Sequence, residues 1–310
     1  MSDFDILENL SSKVSNISQF IKYKNVIYLD YPVHSNGGDL FIFKGVEKFF
    51  KDNGFNVIAA FTVHDYDPKK IESLLQNKKC SLVLHGGGNF GDIYEHHRKL
   101  RNSIFDNFTN ENIVLLPQTS FYQNQHNLDF DCSKISRLTD AVFFSRDLKT
   151  LDIFKSFGVK SYLYPDMAHT LYEGLNEKPI SNNTLYFIRR DVEKTDVALP
   201  LNIITFDWND LFYKRDQVVT RFIVNVQKRF GFHKFTYVLW SLYTNILFDR
   251  YKSFFNEYDM VVTSRLHGHI FSSILGIPNR VIDNSYGKNS SYIEAWTSNL
   301  SYVEEFSNKE

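Results

Sequence analysis

The sequence predicts an α/β fold of two Rossmann-like domains facing a central cleft, and three observations carry that expectation. At 310 residues the chain exceeds one small core and matches two units of roughly 150 residues each. Apolar runs of strand length alternate with periodic segments of helix length, the pattern of parallel strands joined by crossover helices. A polar stretch with Gly174, Pro179 and Ser181-Asn182-Asn183-Thr184 interrupts the alternation near the middle and reads as a linker.

The expected boundaries are residues 1–172 for the first domain, 173–184 for the linker and 185–310 for the second domain. Strands of the first domain are expected at Val26 to Leu29, Phe55 to Phe61, Leu82 to Leu84, Ile113 to Leu116, Ala141 to Phe144 and Val159 to Tyr164. Helices fit between them at Asp39 to Lys51, Pro68 to Gln76, Gly91 to Phe108 and Asp147 to Phe157, several opened by Asp, a good N-cap. The second domain repeats the pattern, with strands at Leu185 to Ile188, Ile203 to Phe206, Met260 to Thr263 and Arg280 to Asp283. Long helices are expected around Arg215 to Arg229 and Thr236 to Phe255.

Composition narrows the function classes. With 35 basic against 36 acidic side chains, no single-sign field draws the whole molecule to nucleic acid. Cys80 and Cys132 are expected to be reduced packing residues, since a chain of this size needs no disulfide. Asp3, Asp5 and Glu8 stand where a secretory signal would be basic, so the cytoplasm is the expected location. The most apolar window, Phe235 to Phe248, is shorter than the ~20 residues that span a bilayer. It reads either as a buried helix or as a peripheral contact at the inner face of the membrane, near a lipid-linked substrate.

Open parallel sheets bind ligands beyond the carboxyl ends of their strands, so residues just after each strand are the site candidates. Asp30 to Asp39 contains Gly37-Gly38 and leads into the first helix; Asp39 caps that helix or meets a ligand at its N-terminus. His85-Gly86-Gly87-Gly88-Asn89-Phe90-Gly91-Asp92 follows the third strand. The motif is neither the dinucleotide fingerprint nor a P-loop, and its glycines imply close backbone contact with a ligand or a neighbouring loop. His85 and Asp92 can act as acid and base, or Asp92 can cap a helix, while Gly87, Gly88 and Asn89 are candidates to line the cleft.

Ser145-Arg146-Asp147 reads as a loop anchor. Asp166 and His169 close the first domain, where each either faces a ligand or fills an ordinary capping or surface role. Arg189, with Arg190 as the alternative, follows the first strand of the second domain and suits a carboxylate or phosphate. Ser264-Arg265-Leu266-His267-Gly268-His269 places Arg265 and His267 at a helix start, where unpaired N–H groups favour anions. Two histidines at i, i+2 do not share a helix face, so no metal site is expected there. Lys288, in the loop after the last strand, either reaches a phosphate or is solvated.

Taken together, His85 to Tyr94, Pro165 to His169, Ser264 to His269 and Asp283 to Asn289 resemble the polysaccharide pyruvyl transferases of bacterial exopolysaccharide clusters. The likeness runs from Tyr28-Leu29-Asp30-Tyr31-Pro32 to Ile293-Glu294-Ala295-Trp296. It implies a GT-B-like arrangement of the two domains, phosphoenolpyruvate as co-substrate with no further cofactor, and a ketal formed on two sugar hydroxyls. It also implies that the donor is held by Arg189, Arg265 and His267 from the second domain. On this reading His267, whose ordinary pKa is about 6.5, is the general acid, and Asp39 or Asp92 orients or deprotonates the acceptor. Two other readings stay open: a GT-B glycosyltransferase using a nucleotide sugar, and a non-catalytic partner subunit of a glycan assembly complex.

Overall fold

The structure is a computed structural model that describes residues 1–174, 183–191, 203–231, 233–283 and 287–305, the side chains of Lys288 and Glu305 excepted. Most of the expected linker lies outside the described residues. Two parallel sheets divide the strands.

The first sheet comprises β1 (Asn25–Leu29), β2 (Asn56–Phe61), β3 (Ser81–Leu84), β4 (Gly87–Gly91), β5 (Ile113–Phe121), β6 (Ala141–Ser145) and β7 (Lys160–Leu163). Its order is β2-β1-β3-β5-β6-β7, with β4 added alongside β5. The second sheet has the order β12-β11-β10-β8-β9, built from β8 (Thr184–Phe187), β9 (Thr205–Phe206), β10 (Met260–Thr263), β11 (Asn279–Val281) and β12 (Val303–Glu305). The described pairings are all parallel. Continuous apolar runs such as Val26 to Leu29 and Leu82 to Leu84 suit such strands, because helices cover both faces.

The helices are α1 (Asp3–Ser15), α2 (Gly37–Asp52), α3 (Pro68–Asn77), α4 (Glu95–Asn107), α5 (Gln125–Ile135), α6 (Leu148–Ser156), α7 (Lys214–Phe230), α8 (His233–Phe255), α9 (Leu266–Ile274) and α10 (Lys288–Trp296). Helix α2 is capped by Asn36, whose side chain accepts from the Gly38 N–H; Asp39 sits a turn inside and is not the cap. One apolar cluster runs from α1 and the outer face of the first sheet through α2 to α8, α9 and the second sheet. Aromatic contacts mark that path, with Phe41 of α2 stacked on Phe271 of α9, ring centroids 3.9 Å apart.

Close approach along α2 depends on missing side chains. A Cβ at Gly45 would sit 2.2 Å from the Met167 carbonyl oxygen, and one at Gly38 would sit 2.5 Å from Nδ1 of His267. Seven residues apart, these glycines lie on one helix face, which brings the 167–171 turn and the start of α9 against the same helix.

Helix α8 departs from the expectation of full burial. Thr236, Trp240, Thr244, Leu247, Tyr251 and Phe255 point inward, whereas Phe235, Val238, Leu242 and Ile246 are exposed. No described helix is long and apolar enough to cross a membrane.

Candidate functional site

The carboxyl ends of both sheets open onto one cavity of about 310 Å³. From the first sheet, β1 delivers Asp30, β3 delivers His85 and β6 delivers Arg146; from the second, β8 delivers Arg189, β9 leads to Trp208 and β10 to Arg265, Leu266 and His267. Asp39, Gly88, Asn89, Tyr94, His97 and Asn289 complete much of the wall. The rule that placed candidates after strands thus holds in both halves.

His267 opens α9 with its ring over Gly38. Its Nε2 lies 3.3 Å from Oδ2 of Asp166, and Nη1 of Arg146 lies 3.4 Å from the same nitrogen. Asp166 is fully buried beneath the cavity, ion-paired to Arg146, and accepts a 2.9 Å bond from the Ala168 N–H. Burial alone would push its carboxyl up, but His267 and Arg146 outweigh burial and hold it well below the usual carboxylate range. Asp166 is therefore a permanent anion that orients both neighbours rather than a cleft-lining group.

Arg265 is engaged more fully than the sequence suggested. Its Nε and Nη2 form a two-pronged pair with buried Asp207 at 2.8 and 2.6 Å, and its Nη1 meets Asp191 at 2.6 Å. The other oxygen of Asp191 lies 2.9 Å from Nε of Arg189, so one carboxylate bridges two cavity arginines. Arg190 turns to Asp210 and the Thr205 carbonyl, which leaves Arg189 as the arginine that lines the cavity.

Asp39, next to the Gly38 that His267 covers, accepts a 2.9 Å bond from the side-chain amide of Asn36, and Nε2 of His34 lies 3.5 Å away. Burial opposes its charge, yet the surrounding His34, His267, His85 and His97 keep its carboxyl below the ordinary value. Asp30, buried and held at the positive φ of 64°, pairs with Nδ1 of His97 at 2.7 Å. Burial disfavours the charged imidazole of His97, but the Asp30 carboxylate more than offsets it and raises the pKa.

His85 has its Nδ1 2.5 Å from the hydroxyl of buried Tyr28. Burial raises the Tyr28 pKa far above the usual phenol range, so the hydroxyl keeps its proton. Nε2 of the ring is a buried atom without a hydrogen-bond partner among the described residues. Burial also pushes His85 down to about 4. These features make it an uncharged group in the cavity wall near neutral pH.

Several candidates lie elsewhere. Asp92 accepts from the Gln123 and Asn124 N–H groups and from Asn127, so it braces the 123–127 segment and does not line the cavity. His169 is buried, with Nε2 2.9 Å from the Tyr292 hydroxyl, and is a core group. Gly87 abuts Asp39 and Ile42 instead of the open space, and the glycine-rich segment is a short strand rather than a loop. Asn89 lines the cavity while its carbonyl accepts from Arg101 and Gln118. The side chain of Lys288 lies outside the described residues.

Sequence reasoning undervalued Arg146, taken as a loop anchor, and did not single out Asp30, His34, His97, Trp208 or Asn289. Asp30 and Arg146 both follow strands, which was the available signal; His97 sits inside a helix and Trp208 in a short turn, where no pattern marks them. Beside the first cavity opens a second, of about 640 Å³, which shares Pro32, His34, Tyr94 and His97 with it and reaches His64, His96 and Lys228.

Comparison with known proteins gives a consistent result. The profile of the family described as polysaccharide pyruvyl transferase matches residues 36–286. EpsO of Bacillus subtilis strain 168, assigned as a pyruvyl transferase, is 34% identical over 296 residues, 93% of this chain and 90% of that one. Pyruvyl transferase 1 of Schizosaccharomyces pombe is 25% identical over 300 residues, 89% of this chain and 71% of its own. A crystal structure of a functionally uncharacterised Klebsiella pneumoniae protein superposes with a TM-score of 0.61 at 18% identity, covering 99% of this chain and 100% of that one, a likeness of fold.

Proposed function

Because this chain belongs to the polysaccharide pyruvyl transferase family, we propose that it moves the pyruvyl group of phosphoenolpyruvate onto two hydroxyls of a sugar, forming a cyclic ketal in cell-surface glycan synthesis. One observation carries the reading: His267, Arg146, Arg189 and Arg265 line one cavity together with Asp39 and Asp30. The donor bears a carboxylate and a phosphate on a three-carbon skeleton, which calls for guanidinium groups and a helix N-terminus on one side. The acceptor brings neutral hydroxyls, which suit the carboxylates of the same cavity.

The chemistry distributes over these groups. His267 protonates the donor's methylene carbon, and the cation that develops at the neighbouring carbon is attacked by the first hydroxyl, whose proton passes to Asp39. The carbon–oxygen bond to phosphate then breaks, and the second hydroxyl closes the ketal. One hydroxyl proton is thereby accounted for by the new methyl group and the other by the released phosphate. Asp166 holds the His267 ring in place through its 3.3 Å contact with Nε2, and Lys288 is a further phosphate candidate. We read the two sheets as two Rossmann-like domains, 1–172 and 185–310, arranged as in GT-B enzymes. The family match favours pyruvyl transfer over use of a nucleotide sugar.

Incubation with phosphoenolpyruvate and a panel of glycosides tests this, with mass detection of the ketal and assay of phosphate. The wild type should release phosphate in step with ketal, and His267→Ala should remain folded without turning over. Turnover by His267→Ala at the wild-type rate would remove that residue from the chemistry.

A further inference from the structure

We propose that the outward face of α7 and α8 is a docking surface for a bilayer bearing anionic lipid headgroups. Each helix turns one side inward and one side out. On α8 the outward line is Phe235, Val238, Leu242 and Ile246, spaced by three or four residues, and all four are exposed. On α7 the side opposite buried Ile223 and Gln227 presents Val218 and Phe222, also exposed.

Charge selects the occupant. Every Lys and Arg from 214 to 234 is exposed, with Lys214, Arg221 and Arg229 on the same side of α7 as its apolar pair. The acid between residues 213 and 248 is Asp216, which is buried and paired to Arg250 at 2.6 Å. At the margin, Asp67 and Lys70 of α3 lie 3.8 Å apart as a mutual pair. The chain as a whole is nearly neutral, so this face concentrates positive charge around apolar side chains. A second copy docking here about a two-fold axis would set the basic residues against one another. An anionic bilayer accepts both components, with apolar side chains entering the headgroup boundary and Lys and Arg meeting lipid phosphates. The helices are then interfacial, in keeping with the absence of a spanning helix among the described residues.

The face also reaches toward the site. Lys228 of α7 lines the second cavity, which shares Pro32, His34, Tyr94 and His97 with the first. An acceptor tethered to lipid would then be held near the transfer cavity. This last step rests on the proposed function; the docking surface itself does not.

Vesicle flotation of the full chain tests the proposal, comparing phosphatidylcholine vesicles with vesicles of phosphatidylcholine and phosphatidylglycerol at about three to one. The wild type should float with the mixed vesicles at low salt, stay behind with the neutral ones, and detach as salt rises. The triple variant Lys214→Gln, Arg221→Gln, Arg229→Gln should bind about a hundredfold more weakly, and Phe222→Ser with Leu242→Ser should lose binding. Circular dichroism checks that these surface variants fold, and the salt dependence of the wild type needs no variant. Equal flotation with neutral vesicles, or none with either kind, overturns the proposal. So does a wild-type dimer in sedimentation velocity that Phe222→Ser with Leu242→Ser dissociates, since a second copy would then be the occupant.

Discussion

At the scale of single residues, the arginines of the cavity are already answered by carboxylates, and that pairing has a measurable cost for the donor. Asp191 spans Arg189 and Arg265 with its two oxygens, the posture that the carboxylate of a small anionic ligand would take. A donor anion has to displace or share this carboxylate, whereas buried Asp207 stays with Arg265 as structure. Asp191→Asn is therefore expected to tighten phosphoenolpyruvate binding by about five- to tenfold, measured by calorimetry. Weaker binding would mean that Asp191 orients the arginines rather than competing for them. The sequence placed Arg189, Arg265, His267, His85 and Asp39 at the cavity because each follows a strand or opens a helix. Which carboxylate meets which guanidinium was not legible, since Asp191 and Asp207 reach Arg265 across 74 and 58 residues of chain.

At the scale of elements, α2 acts as the rail against which His267 is set. Gly38 leaves the space that His267 occupies, so Gly38→Ala forces the imidazole or the helix to move. The expected result is a fall in kcat on the order of a hundredfold at saturating donor, since small displacements of a catalytic group carry such penalties. Fold stability should drop by about 1–3 kcal/mol, the usual range for overpacking. An unchanged kcat would show that the His267 position is not critical. Strands such as β1, β3, β6 and β10 were readable because their apolar runs are continuous. Strand β4 was not, because Gly87-Gly88-Asn89-Phe90-Gly91 has poor strand propensity and is extended by pairing with the far end of β5. Helix α1, polar along much of its length, was passed over, although Ser2 and Asp5 form a capping box. Helix α8 carries the most apolar window of the chain, which suits burial, and the structure instead leaves Phe235, Val238, Leu242 and Ile246 exposed.

At the scale of the whole molecule, buried imidazoles tie stability to pH. Burial lowers His85, His169 and His269 to about 4, against an ordinary value of 6.5. The unfolded chain therefore binds protons that the folded chain refuses between pH 6.5 and 4. Stability should fall as pH drops through that window, on the order of 3 kcal/mol per pH unit near its middle. His97, raised by Asp30, acts in the opposite sense and blunts the effect at the upper end. Below pH 4 the unfolded chain protonates Asp166 while the folded chain keeps it charged, which adds a further loss. Thermal unfolding at a series of pH values checks this, and a flat melting temperature from pH 7 to 4 would contradict it.

The division of the strands into two parallel sheets followed from the alternation of apolar runs, and so did the meeting of their carboxyl ends at one cavity. What that cavity holds is the claim on which the rest turns, and thermal unfolding in the presence of candidate donors tests it most directly. Phosphoenolpyruvate at a hundred times its Kd should raise the melting temperature by about 4 °C for a chain of this length, while uridine and cytidine nucleotides leave it unchanged. Stabilisation by a nucleotide and not by phosphoenolpyruvate would contradict the assignment.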